Sequence, residues 1–196
     1  MKDATLFTKF DIRWGYNNIR IHEEDQWKAA FITPLGLFEP TVMFFGFCNT
    51  PSTFQAFMNH IFADMIAEKW LKIYMDDIGI HTKDDLALHH EQTHHVLLCL
   101  REHGLSLKIS KCIFNAPQME FLGMIIGQGK VEMDPKKLDT IRSWKPPTSV
   151  KAIQSFTGFA NFYRKFIPNF LNIVAPQSPH SKEQTLDLDK TTTKHL

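Results

Sequence analysis

The stretch Leu71-Lys72-Ile73-Tyr74-Met75-Asp76-Asp77-Ile78-Gly79-Ile80-His81-Thr82 places two adjacent acids inside an otherwise apolar run. Apolar residues on both sides of the pair suit a strand, a turn and a second strand, with the acids at the turn. Carboxylates brought together in a partly dry site repel one another unless they are protonated or bridged by cations, and Mg²⁺ is the usual bridge where phosphate is the substrate. A third acid, Asp11, ends the run Leu6 to Ile12 in the same apolar-then-acid manner. Acids at strand ends suit two-metal phosphoryl transfer, in which one ion activates the attacking oxygen and the other steadies the leaving group. Taken alone, a polar hairpin turn and an ordinary strand end account for the same residues equally well.

Upstream of the acid pair, Leu6 to Ile12 and Ile19 to His22 read as strands, with Gly15 permitting a tight turn between them. Phe31 to Phe47 is aromatic and β-branched but broken by Pro34, Gly36, Pro40 and Gly46, the pattern of a hairpin followed by a loop. Asn49 or Thr50 then caps a helix with Pro51 near its first position, and Phe54, Phe57, Met58, Ile61, Phe62, Met65, Ile66 and Trp70 give that helix one apolar stripe. Downstream, Asp84 caps a helix ending near His103 and Gly104, and strands are expected at Leu105 to Ile109 and Phe121 to Ile126. The order β, β, helix, ββ, helix, β is that of a ferredoxin-like split βαβ fold of the α+β class.

After Gly127-Gln128-Gly129 the character becomes helical. Asp134-Pro135 starts a short helix, Pro146-Pro147 stops it, and Thr148 or Ser149 caps another running through Phe166. The expected divisions are therefore residues 1–127, a helical subdomain over 128–170, and a polar, poorly ordered tail over 171–196.

The net charge of +1 conceals an asymmetry: residues 1–100 carry a net −5 and residues 101–170 a net +6. An acidic half joined to a basic half suits an enzyme holding metal ions in one place and a phosphate backbone in another, although ordinary surface charge explains the composition equally well. Cys48, Cys99 and Cys112 form no Cys-x-x-Cys pair and read as small core residues in a reducing compartment. Neither a signal peptide nor an apolar run long enough to span a bilayer is evident, so an intracellular protein is expected. His90 and His94 have the helical spacing of zinc ligands but no third ligand, and read as surface histidines; Asp187-Leu188-Asp189 reads as solvated charge.

Four segments carry a family resemblance in order: Phe7-Thr8-Lys9-Phe10-Asp11-Ile12-Arg13-Trp14-Gly15-Tyr16, Val42-Met43-Phe44-Phe45-Gly46-Phe47-Cys48-Asn49-Thr50-Pro51-Ser52-Thr53-Phe54-Gln55, Tyr74-Met75-Asp76-Asp77 and Phe121-Leu122-Gly123. From Thr5 to Phe170 the chain resembles the reverse transcriptases of Ty3/gypsy-type long-terminal-repeat retrotransposons. Phe44 stands where the family usually has proline, and Arg13-Trp14 where small residues are commoner.

The resemblance implies a reverse-transcriptase palm with partial fingers over 1–127 and a small helical thumb over 128–170. Most of the fingers, with their triphosphate-gripping basic residues, is expected to be absent. It implies that Asp11, Asp76 and Asp77 are the catalytic, metal-binding acids, with Asp11 and Asp76 the principal ligands of two Mg²⁺ ions, for which Mn²⁺ can substitute. Ile12, Tyr16, Phe45, Gly46 and Gln55 would line the nucleotide site, Tyr16 excluding a 2′-OH and Gln55 lying beneath the template. Gly123 and Met124 would form the primer grip. Gln154, Gly158 and Phe162, with Lys151, Arg164 and Lys165 on the same helix, would contact the template-primer. The expected reaction is nucleotidyl transfer from dNTP to a primer 3′ end on an RNA or DNA template, in a cytoplasmic virus-like particle or the nucleus, without membrane partners. RNase H and integrase modules are expected in the full polyprotein, with residues 171–196 either a poorly ordered tail or the start of a connection to the RNase H module. Activity of this fragment alone is expected to be weak, and the competing reading is a non-catalytic nucleic-acid-binding remnant.

Overall fold

The structure is a computed structural model that describes residue 1, residues 3–127 and residues 129–174. It divides into two compact units, Met1–Val131 and Glu132–Leu196.

In the first unit, strands β1 (Leu6–Asp11), β4 (Leu71–Tyr74), β5 (Asp77–Thr82) and β6 (Ile113–Ala116) form one sheet in the order β4-β5-β1-β6. Helices α1 (Thr50–Ile61) and α2 (Ala63–Ala67) lie in sequence between β1 and β4, and α3 (Leu86–Glu102) lies between β5 and β6. With β1 and β5 at the centre, this is the expected split βαβ arrangement. Both faces of β1 are covered, which is why Phe7 and Phe10 are both fully buried. Phe10 joins Phe54, Met58 and Phe62 and, from α3, Val96, Cys99 and Leu100, in the main core. Phe7 points the other way, into a smaller core with Met119, Phe121 and Ile126 from the hairpin of β7 (Gln118–Phe121) and β8 (Met124–Gly127). A short hairpin, β2 (Phe31–Thr33) and β3 (Gly36–Phe38), stands apart with no buried residue.

Several boundaries differ from expectation. Ile19 to His22 makes only an isolated bridge, Arg20 with Val42, before a 3₁₀ turn at Glu23–Ala29. The helix that begins at Thr50 breaks at Phe62, whose φ of −112° leaves the helical range. Asp85 rather than Asp84 caps α3, its carboxylate accepting from Leu88 N–H at 2.9 Å, because Asp84 itself sits at φ 45°. Leu105 to Ile109 is not a strand; Leu107 makes a single bridge to Ile12, and Ile109–Lys111 is a 3₁₀ turn. Phe121 to Ile126 is a reversal, with Leu122 at φ 53° and Gly123 at φ 73° between β7 and β8. Cys48 is exposed in the loop before α1, so only Cys99 of the three cysteines is a buried core residue.

In the second unit α4 (Pro135–Arg142) starts behind Asp134, whose carboxylate accepts from Lys136 N–H at 3.0 Å. Helix α5 (Val150–Phe162) is capped by Ser149, whose Oγ accepts from Ala152 N–H at 3.2 Å. Trp144 meets Phe156 and Phe159 edge-on at 5.6 and 5.3 Å, giving this small unit a partly exposed aromatic cluster. A 3₁₀ turn at Arg164–Phe166 and helix α6 (Phe170–Val174) follow. The expected tail falls mostly on residues 175–196, outside those described, as does Asp187-Leu188-Asp189.

Candidate active site

Strand pairing brings the three acids together. Asp11 and Asp77 are direct partners in the β1–β5 register, and Ile12 N–H donates to the Asp76 carbonyl at 3.0 Å. The β4–β5 turn consists of Met75 and Asp76, between the paired residues Tyr74 and Asp77. Met75 has φ 56°, a conformation that costs a non-glycine residue about 1–3 kcal/mol. Gln55 of α1 supports it, its Oε1 accepting from Met75 N–H at 2.7 Å while its Nε2 donates to Asn59 at 2.8 Å. Gln55 thus acts on the backbone that aims Asp76.

Each of two acids has a lysine partner. Asp11, only 7% exposed, is bonded to Lys111 Nζ at 2.9 Å, and Asp77 to Lys9 Nζ at 2.9 Å. The hydrogen bond and charge of Asp11 hold the Lys111 ammonium above its ordinary range. Asp76 is exposed.

Asp11 and Asp76 open onto a cavity of about 680 Å³, lined also by Ile12, Arg13, Trp14, Gly15, Tyr16, Phe45, Phe54, Lys108 and Lys111. Tyr16 meets Phe45 edge-on at 4.9 Å and Phe54 at 5.5 Å, forming an aromatic wall. Gly15 is needed here, since a Cβ would come within 2.6 Å of the Phe54 ring. Burial, and after it the charge of Asp76, raises the Tyr16 phenol above its ordinary value. Gly46, at φ 119°, turns the chain beside Phe45.

Residues 1–126 match the family model described as reverse transcriptase (RNA-dependent DNA polymerase). The chain belongs to the reverse transcriptase family. It is 34% identical over 176 residues to the Transposon Tf2-3 and Tf2-7 polyproteins of Schizosaccharomyces pombe, covering 90% of this chain but 13% of those proteins. Among solved structures it is similar to the foamy viral protease-reverse transcriptase in complex with RNA/DNA hybrid, with TM-score 0.79 and 26% identity over 89% of this chain and 23% of that one. A complex of the same viral enzyme with double-stranded DNA gives TM-score 0.82 and 26% identity, covering 30% of that chain. The chain therefore spans a small part of the relatives it matches.

Within this reverse transcriptase fold, Gly123 and Met124 lie at the tip and first strand residue of the β7–β8 hairpin. That hairpin rests on the same face of β1 as Asp11, since Phe7 and Asp11 are an even number of residues apart. Gly79 opposite Lys9 leaves room for it; a Cβ there would meet Met119 at 2.9 Å and Phe121 at 3.2 Å.

In the second unit Gln154, Gly158, Phe162 and Lys151 are exposed on α5, while Ile153 and Ala160 are buried. Arg164 and Lys165 are exposed too, but on the 3₁₀ turn after the helix rather than on the helix itself, because α5 ends at Phe162.

Sequence reading missed Lys9, Lys108, Lys111 and His89. Lys108 and Lys111 lie far from Asp11 in sequence, and Lys9, although two residues from Asp11, pairs across the sheet with Asp77, so no local pattern pointed to them. His89 is fully buried between Thr8 and Thr82, each at 2.8 Å, whereas His90 and His94 are exposed. Its signal was its place on the stripe that continues through Thr93, Val96 and Leu100.

The acids suit a hard cation, since Mg²⁺ is commonly held by one or two carboxylates with water and substrate phosphates completing its shell. Asp11 and Asp76 offer that donor set to one cavity. Among the described residues no three His, Cys, Asp or Glu stand close enough to hold an ion by themselves. No helix among them is long and apolar enough to cross a membrane.

Proposed function

We propose that this chain carries the polymerase site of an RNA- and DNA-directed DNA polymerase of a retrotransposon, transferring nucleotides from dNTP to a primer 3′ end. The observation that carries this reading is the convergence of Asp11 and Asp76 on one cavity whose opposite wall is Tyr16, Phe45 and Phe54. Bound there, two Mg²⁺ ions would activate the 3′-oxygen and stabilise charge on the leaving pyrophosphate. Asp11 and Asp76 are the residues to hold them. Tyr16 sets the floor of the sugar site, and its ring takes the space a 2′-OH would need. Gln55 keeps the Met75–Asp76 turn in register, and the β7–β8 hairpin positions the primer end.

The first unit is assigned the palm role and the second the thumb role. Gly158 is exposed on α5, and an added Cβ there meets nothing among the described residues, so the surface at that point is open to a nucleic-acid backbone. Lys151, Arg164 and Lys165 are placed to contact phosphates. As a piece of a longer polyprotein, the chain would work beside RNase H and integrase modules, in a cytoplasmic virus-like particle or the nucleus.

Primer extension on a poly(rA)/oligo(dT) template with Mg²⁺ tests this. Asp76→Asn and Asp11→Asn should each lower kcat by roughly a thousandfold or more without unfolding the protein, because a metal ligand contributes several kcal/mol in the transition state. Near-wild-type rates in these variants would refute the assignment. The competing reading, a non-catalytic nucleic-acid-binding protein, draws on the lysine partners already attached to Asp11 and Asp77. It predicts duplex binding with no extension in the same assay.

A further inference from the structure

Asp11 and Asp77 have lysine partners of different kinds. Lys9 neighbours Asp77 diagonally across β1 and β5, and both side chains are largely covered, at 16% and 25% exposed. Lys111 reaches Asp11 from a 3₁₀ turn a hundred residues away in sequence, and its side chain is 55% exposed against 10% for that of Asp11. The turn is held to the end of β1 by backbone bonds, Arg13 N–H to Ser106 O at 2.7 Å and Lys108 N–H to Asp11 O at 2.9 Å. The backbone therefore stays in place whatever the Lys111 ammonium does.

A carboxylate as buried as that of Asp11 is costly without a positive partner. A lysine ammonium and a divalent cation cannot both crowd that carboxylate, because like charges at contact distance repel strongly. The cavity is lined by Asp11, Asp76 and Lys111, but not by Asp77 or Lys9, so the exchange concerns Lys111 alone. We propose that Lys111 is the resident counter-ion of Asp11, and that the ammonium leaves when a divalent cation binds. The long exposed stem of Lys111 lets it swing away with little loss of packing, while Lys9 stays on Asp77. This rests on the metal-binding role given to Asp11 above, and adds that cation affinity is set by competition within the chain.

Mn²⁺ titration followed by the electron paramagnetic resonance signal of the free ion measures this on the full 196-residue chain. Lys111→Met should lower the Mn²⁺ Kd about tenfold, since a charge-assisted hydrogen bond no longer competes. Lys108→Met removes the same charge from the same cavity wall without touching the Asp11 carboxylate, and should change Kd by only about twofold at moderate salt. Lys111→Arg keeps the competing cation and should bind Mn²⁺ no more tightly than wild type, which protects the test if the methionine variant folds poorly. In EDTA, Lys111→Met should melt below wild type, and Mn²⁺ should raise its Tm by more than it raises that of wild type. Equal Kd values for Lys111→Met and Lys108→Met, or tighter binding by Lys111→Arg, would overturn the counter-ion role. If Mn²⁺ still bound and Asp76→Asn still weakened it, the metal-site reading would survive that failure. Absence of Mn²⁺ binding by wild type and every variant would overturn both.

Discussion

Tyr16 and Gln55 were both expected in the nucleotide site, yet their surroundings assign them different work. Tyr16 meets the exposed ring of Phe45 and the buried ring of Phe54 edge-on, and in the proposed sugar site its ring stands where a bulkier sugar would need room. Tyr16→Val should therefore lower the ratio of kcat/KM for dNTP to that for rNTP by about tenfold or more, read from parallel single-nucleotide extensions. An unchanged ratio removes the sugar-gate role. Gln55 is bonded to the Met75 backbone, so its contribution is to the aim of Asp76. Gln55→Leu keeps the helix but leaves the Met75 N–H without its partner, which should cost about 1 kcal/mol of stability. The same variant should lower kcat more than it raises KM for dNTP, because the affected group acts on the metal ligand. An effect confined to KM would return Gln55 to direct nucleotide contact.

Helix α3 shows how an element is tied to the acid-bearing strands β1 and β5 by one buried histidine. Thr82 Oγ1 donates to Gln92 Oε1 at 2.7 Å, so it must accept from Nδ1–H of His89, which leaves Nε2 to accept from the Thr8 hydroxyl. Thr8 in turn accepts from Asn115 N–H at 3.2 Å. With His89 neutral, a hydrogen-bonded chain thus runs from β6 through β1 and α3 to β5. Burial lowers the His89 imidazole below its ordinary value, and the same holds for His81, whose Nδ1 bonds to Trp70 O. For a histidine depressed in the folded state, the unfolded chain binds the extra proton first. Stability is then complete above the unfolded value of about 6.5 and is lost as pH falls through it. Urea midpoints measured between about pH 7.5 and pH 5 should therefore fall, and less so in His89→Gln, where only His81 still contributes. A midpoint that rises on acidification contradicts this.

At the scale of the whole molecule the charge asymmetry divides unevenly: Lys108 and Lys111 join the carboxylates in the first unit, while Lys151, Arg164 and Lys165 are exposed on the second. Binding to a primer-template should weaken steeply with salt and depend little on sequence, and Lys151→Ala or Arg164→Ala should each reduce the slope of log K against log salt by roughly 1. A slope unchanged in both variants removes them from the interface. The β2–β3 hairpin exposes Ile32 at 83% and Leu35 at 90%, and Phe31 meets Phe44, the neighbour of the cavity residue Phe45, edge-on at 6.4 Å. Phe45 is itself 80% exposed, so this side of the cavity should hold dNTP loosely. The 196-residue chain is expected to extend primers weakly at low micromolar dNTP. Robust extension by the short chain under those conditions contradicts the expectation.

The amino-acid sequence by itself determined the family, the split βαβ order and the placing of the acids, Asp11 at the end of β1 and Asp76-Asp77 at the turn into β5. Those features reside in local alternation, in Pro and Gly punctuation and in short ordered motifs, all of which are written contiguously in the chain. It also placed the starts of the helices to within a residue or two, but missed where competing geometry won: Asp84 taking a left-handed turn, α1 breaking at Phe62, α5 ending at Phe162 rather than Phe166, and Leu122-Gly123 folding a presumed strand back on itself. Only the tertiary structure decided which polar groups meet. The partnership of Asp11 with Lys111, the seat of the β7–β8 hairpin on Gly79, the hold of Gln55 on Met75 and the buried His89 chain all join residues from 7 to 100 positions apart. Contacts at that range depend on sheet register and on which face of a strand or helix is covered. A one-residue shift in register would turn every such side chain to the other face, so no local pattern in the sequence could have specified them.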